Sequence, residues 1–206
     1  MHLSEGILHL PTLVVTNAVA LGSVWVGLRR LQDDKLPLSA LFAAAFFVAS
    51  TIHIPVGVGS VHLILNGMAG LFLGWTVFPA FLIALLLQVL FFSFGGFAVI
   101  GANLCSMAGA ALVAHYTLRH FITPTAPKYK LILAGILSAL IGLIGALFIT
   151  ATILYADGGK QYLEVIYLLF ISHLPVMVAD ALISCGVILL LQKMQPEMLN
   201  LAPNKK

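Results

Sequence analysis

KLILAGILSALIGLIGALFITATILY, residues 130–155, carries a charge only at its first position. A helix needs about 20 consecutive apolar residues to cross the hydrocarbon core of a bilayer. The stretch therefore predicts a transmembrane helix over Lys130–Tyr155, and the whole chain has the same character. Of its 206 residues, 61% are apolar and 8% charged, and mean hydropathy is +1.10. A soluble domain uses roughly a quarter charged residues to solvate its surface. The composition predicts a single all-α integral membrane domain over residues 1–206.

Working outward from that run, six more spans are expected: Pro11–Leu28, Pro37–His53, Ser60–Trp75, Val77–Phe92, Phe97–Leu118 and Tyr162–Leu191. The links at Trp75-Thr76 and Ser93–Gly96 are short, so the third to fifth spans have the least distinct limits. Basic residues mark cytoplasmic loops. With about seven transmembrane helices, the amino terminus outside and the carboxyl terminus cytoplasmic, the inner segments hold Arg29, Arg30, Lys35, Arg119, Lys128, Lys130, Lys193, Lys205 and Lys206. The outer segments hold only Lys160. One span more or fewer would spoil that asymmetry.

The ten scattered Lys and Arg make no nucleic-acid face. Cys105 and Cys185 lie in apolar runs and share no metal-ligand spacing. There is no Gly-x-x-x-x-Gly-Lys-Ser/Thr phosphate loop. Neither His-Glu-x-x-His nor Gly-x-Ser-x-Gly is present to support an intramembrane hydrolase. The first dozen residues lack the basic n-region and small-residue cleavage site of a signal peptide, so the mature chain is expected to begin at Met1.

On this topology four of the seven histidines fall outside: His2 and His9 in the outer segment of residues 1–10, and His53 and His62 flanking the Gly/Pro-rich outer loop of residues 54–63. A free α-amine, the amide nitrogen of residue 2 and its imidazole Nδ1 can chelate one ion through a five- and a six-membered ring. Three nitrogens in one plane leave an equatorial position for a second histidine. Such tetragonal nitrogen coordination suits Ni(II) or Cu(II), with Co(II) also accommodated. By chemistry alone the terminus admits two readings, a chelate or a frayed interfacial end.

Four motifs, in order along nearly the whole chain, resemble one family. Met1-His-Leu-Ser-Glu-Gly6 is similar to the Met-His-Ile-x-Glu/Asp-Gly start of the CbiM/NikM proteins, the substrate-specific membrane components of energy-coupling-factor cobalt and nickel importers. Ile54-Pro-Val-Gly-Val-Gly-Ser-Val-His-Leu63 resembles their Pro/Gly-rich loop ending in histidine. The segment from Gln88 through Gly95-Gly96 and Asn103 to Met107 resembles a third motif. His173-Leu-Pro-Val-Met-Val-Ala-Asp180 resembles a fourth, with Asp180 where the family usually has Glu. The family's Gly-Gly-Thr-Ser-Gly-His loop reads Gly57-Val-Gly-Ser-Val-His62 here.

The resemblance implies a metal site of Met1, His2 and His62, with no cofactor and with Co²⁺ or Ni²⁺ as the transported ion. It implies a transmembrane coupling subunit, ABC-type ATPase subunits and a small accessory membrane protein as partners, in a bacterial or archaeal plasma (inner) membrane. His53 is expected as an auxiliary ligand or as an interfacial histidine bonded to a carbonyl. Glu5 is expected either to accept from a histidine ring or to be solvated, and His9 to anchor at the interface. Asn103, about 9 Å along its helix from the outer end, is expected to support the site without ligating. The chain is expected to be a transport component, not an enzyme. The competing reading is an ion-coupled secondary transporter with Asp180 as proton carrier, although no internal repeat is visible.

Overall fold

The computed structural model describes residues 2–51, 53–56 and 59–201, and for 53–56, 59 and 60 the backbone alone. Among these residues are eight α-helices: α1 (Leu10–Arg30), α2 (Leu36–Ala49), α3 (Asn66–Leu73), α4 (Val77–Phe92), α5 (Ile100–Leu118), α6 (Lys128–Gly158), α7 (Leu163–Ser172) and α8 (Leu174–Met194). Three short strands, β1 (His2–Leu3), β2 (His53–Val56) and β3 (Gly59–His62), form one antiparallel sheet in the order β1-β3-β2.

Four helical runs are long and apolar enough to cross a membrane: Leu10–Arg30, Asn66–Phe92, Lys128–Ser172 and Leu174–Met194. Large apolar side chains on their outer faces, such as Val14, Val15, Leu21, Phe148, Leu182 and Leu190, stay exposed. Such a belt suits lipid and would be a liability in water. The chain is a multi-pass membrane protein.

The expected boundaries fail at three places, each for a local reason. The second span stops at Ala49, and His53 opens a strand; Pro55 sits in β2, an edge strand where a missing N–H costs no ladder bond. In place of a third span over Ser60–Trp75 there is β3 followed by α3. Its eight residues reach only about 12 Å, too short to cross alone. The seventh span divides at His173, where Pro175 begins α8 without an N–H to continue the preceding turn.

Helix α5 lies at the centre, packed by α1, α3, α4 and α6. The close approach of α3 depends on glycine. A Cβ on Gly67 would lie 1.7 Å from the Ser138 carbonyl oxygen of α6, and one on Gly70 would lie 2.0 Å from that of Ala111 in α5. Asn66 fixes the same junction by donating from Nδ2 to the carbonyls of Met107 (3.0 Å) and Gly142 (2.9 Å). The β2–β3 hairpin before α3 packs against α7, and β1, its third strand, packs against α5.

Candidate metal centre

The amino-terminal segment is bound to the fold along its length. His2 pairs with Ser60 and Leu3 with Gly59, so the chain begins as an edge strand on the hairpin. Asn103 clamps Leu3 from the other side: its Oδ1 accepts from the Leu3 N–H at 2.7 Å and its Nδ2 donates to the Leu3 carbonyl at 3.1 Å. Glu5 donates its N–H to the Gly95 carbonyl, and its carboxylate accepts from the Ala98 N–H, each at 3.0 Å. Tyr162 donates to the Ile7 carbonyl at 2.7 Å. His9 closes the series, with its backbone N–H and its ring Nδ1 on the two oxygens of Asp157 at 3.0 and 2.8 Å.

The turn between α4 and α5 shapes this bed. Gly95 and Gly96 have φ of +78° and +146°, a region that side-chain-bearing residues rarely adopt. A Cβ on Gly96 would lie 2.6 Å from the Glu5 carboxylate, and one on Gly95 would lie 3.0 Å from Asn103 Nδ2.

Two imidazoles meet above this bed. His2 and His62 are each 2% exposed, with ring centroids 4.6 Å apart. His2 Nε2 lies 2.7 Å from the side-chain amide of Gln88. His62 Nδ1 donates to the Leu63 carbonyl at 2.8 Å. The remaining nitrogens, His2 Nδ1 and His62 Nε2, face each other at 3.0 Å. With Nδ1 on the Leu63 carbonyl, His62 turns Nε2 toward the His2 ring. Double protonation is opposed: burial, with His2 nearby, holds His62 well below the ordinary imidazole value. Two ring nitrogens at this spacing can serve one metal ion. Two ligands at right angles on a metal with N bonds of 2.0–2.1 Å are about 2.9 Å apart. Phe46 stands edge-on to the His62 ring and Phe94 lies beside His2, giving the pair apolar walls.

The position of His62 is set from below. Leu65 adopts φ +54°, ψ +20°, unusual for a branched residue, and its N–H donates to Asp180 Oδ2 at 3.1 Å. Asp180 is 1% exposed, so a carboxylate buried in α8 anchors the chain three residues after His62.

Among the described residues no three His, Cys, Asp or Glu side chains converge on one point. The two rings bring two nitrogens together. Met1 lies outside the described residues, as does the side chain of His53, whose backbone pairs with that of His62. The Glu5 carboxylate is exposed and accepts from the Ala98 N–H in the turn before α5, and among the described residues it bonds no histidine ring. Asn103 holds Leu3, as a supporting amide would. Gln88 opens the third motif of the sequence, and its bond to His2 is visible only in the fold. Asp157, Tyr162 and the Asp180–Leu65 bond had no signal in the linear chain.

The chain is similar over nearly its whole length to proteins named for metal transport. The family model described as cobalt uptake substrate-specific transmembrane region (CbiM) matches residues 2–198. A Haemophilus influenzae chain provisionally named a metal transport protein is 59% identical over 204 residues, 99% of each chain. The fused nickel transport protein NikMN of Rhodobacter capsulatus is 31% identical over 222 residues, covering 97% of this chain and 64% of that longer one. The cobalt transport protein CbiM of Sorangium cellulosum is 28% identical, covering 97% and 95%. A crystal structure described as a transition metal transporter superposes with a TM-score of 0.74 at 25% identity, covering 94% of this chain and 93% of that one.

Proposed function

Because the chain belongs to the CbiM family of cobalt-uptake substrate-specific transmembrane proteins, we propose that it captures Co²⁺ or Ni²⁺ on the outer face of a plasma (inner) membrane and delivers it to the cytoplasm as the substrate-specific component of an energy-coupling-factor importer. The ion is held by the α-amine of Met1, the amide nitrogen and Nδ1 of His2, and Nε2 of His62. The observation that carries this reading is the approach of His2 Nδ1 and His62 Nε2 to 3.0 Å, with the opposite ring nitrogens held by the Gln88 side chain and the Leu63 carbonyl. The bonds that tie down Leu3, Glu5, Ile7 and His9 support it, because a chelate built on a chain end needs that end ordered before the ion arrives.

The outward amino terminus and the count of seven spans rest on the nine-to-one distribution of basic residues. Lacking a phosphate loop, the chain takes its energy from separate ABC-type ATPase subunits through a transmembrane coupling subunit, with a small accessory membrane protein as a further partner. Capture precedes an ATP-driven reorientation that releases the ion inside.

The test is calorimetric titration of purified protein with Ni²⁺ and Co²⁺, using the native terminus, a variant with one residue added before Met1, and His62→Ala. Tight binding by the native form alone supports the chelate. Equal binding by the native and extended forms removes the amine and the His2 amide from the site and refutes the mechanism.

A further inference from the structure

A second polar cavity opens at the opposite end of the bundle. Its volume is about 300 Å³, and its lining includes Arg30, Lys35, Trp75, His115, Tyr116 and Arg119. It lies a membrane's thickness from the histidine pair: α1 runs from Leu10, beside the pinned amino-terminal segment, to Arg30 at the cavity, and its 21 residues span about 31 Å.

Three separate elements bring cations to this cavity: Arg30 ends α1, Lys35 lies in the turn before α2, and Arg119 follows α5. No Asp or Glu lines it, and among the described residues none of the three cations has an ion pair. Both guanidinium groups are already placed by aromatic rings. Arg30 lies over Trp75 at 5.2 Å from its centroid, and Arg119 over Tyr116 at 4.7 Å. Most of their donors remain: Arg30 gives one N–H to the Tyr116 hydroxyl at 3.4 Å, and Arg119 gives only Nε–H, to His120 at 3.2 Å. The Tyr116 oxygen also accepts from Trp75 Nε1–H at 3.0 Å, which leaves its own hydrogen to donate. Two oriented forks, an ammonium and a phenol hydroxyl, with no carboxylate, form a phosphate-binding set.

We propose that this cavity holds the phosphate of an anionic membrane lipid. A tryptophan and a tyrosine at the depth of a helix end are typical of the headgroup level, and basic pockets between helices at that level take acidic headgroups. The charge excess at this end is therefore also a lipid site, independent of metal capture.

The test is native mass spectrometry of the full chain released from vesicles of equal phosphatidylglycerol and phosphatidylcholine. Wild type retains phosphatidylglycerol over phosphatidylcholine by about tenfold, and Arg30→Gln/Arg119→Gln brings the ratio to near parity. Lys128→Gln/Lys193→Gln, on the same face but outside this cavity, keeps the preference. Should the arginine pair fail to fold, Lys35→Gln with Tyr116→Phe replaces it, with the same expectation. Parity in wild type, or equal loss in the Lys128/Lys193 control, overturns the site. Displacement of the lipid by millimolar inorganic phosphate overturns its assignment to a lipid in favour of a soluble anion.

Discussion

Asn103 offers the sharpest test of how the terminus is held. Its side chain, 3% exposed, makes two bonds to the backbone of Leu3, next to His2. Asn103→Ala leaves a buried N–H and a buried carbonyl without partners, at about 1–3 kcal/mol for each unsatisfied group. Relaxation and water entry recover part of this, so a net loss of about 2–4 kcal/mol is expected for docking the segment. If docking must precede chelation, that loss appears in the metal affinity. At 1.4 kcal/mol per tenfold, Ni²⁺ affinity falls by roughly 30- to 700-fold. The control is Asn17→Ala. Asn17 also makes several amide bonds, donating to the Leu13 and Ala98 carbonyls and accepting from the Gly101 N–H. It touches no residue of the terminal segment through those bonds, so its loss lowers Tm while leaving Ni²⁺ affinity within about threefold. Titration calorimetry and thermal melting of both variants decide the matter. If Asn103→Ala melts early yet binds Ni²⁺ as wild type does, the clamp stabilises the fold without ordering the site, and the reasoning fails.

Three further outcomes are expected. Asp180→Asn keeps an oxygen for the Leu65 N–H and retains Ni²⁺ binding within about threefold, whereas Asp180→Ala leaves that buried donor bare and loses about tenfold or more; a proton-carrier role instead predicts that Asp180→Asn binds normally but abolishes uptake, measured with radioactive nickel in whole cells. Gly67→Ala places a methyl group 1.7 Å from the Ser138 carbonyl oxygen and cannot be absorbed by a side-chain shift, so monodisperse protein is lost on size-exclusion chromatography, whereas Gly22→Ala, with open space around its Cβ, behaves as wild type. Metal affinity falls as pH drops below about 8, because the terminal amine titrates there and the amide must also lose its proton. His62, held well below its ordinary value, binds no proton until the pH is below about 6.5. Calorimetry between pH 6.5 and 8.5 should therefore show proton release without a break near 6.5, and a break there would assign the titration to His62 in place of the amine.

Linear order alone made some of this protein legible. The charge-free run after Lys130 requires a membrane, because no other solvent accepts so much apolar surface. The Met1-His2 start offered a nitrogen chelate beside a frayed end, because chelate ring size depends on bonds within two residues, and the family resemblance added the histidine ending the Gly/Pro loop. Asn103 was legible as a supporting amide because a buried amide in a span must find partners. The rest depended on distances between chain positions far apart in sequence. Periodicity could not show that α3 stops after eight residues, since its Ala and Gly read as an ordinary span until Gly67 and Gly70 meet the backbones of α5 and α6. Nor could it show that the outer loop is a hairpin with β1 as its third strand, because pairing a two-residue strand depends on what clamps it from behind. The rings of His2 and His62 were held by Gln88 and by the turn at Leu63, and Asp180 found its partner at Leu65, 115 residues earlier. The sequence supplied the imidazoles, and only the tertiary structure brought two of their ring nitrogens together.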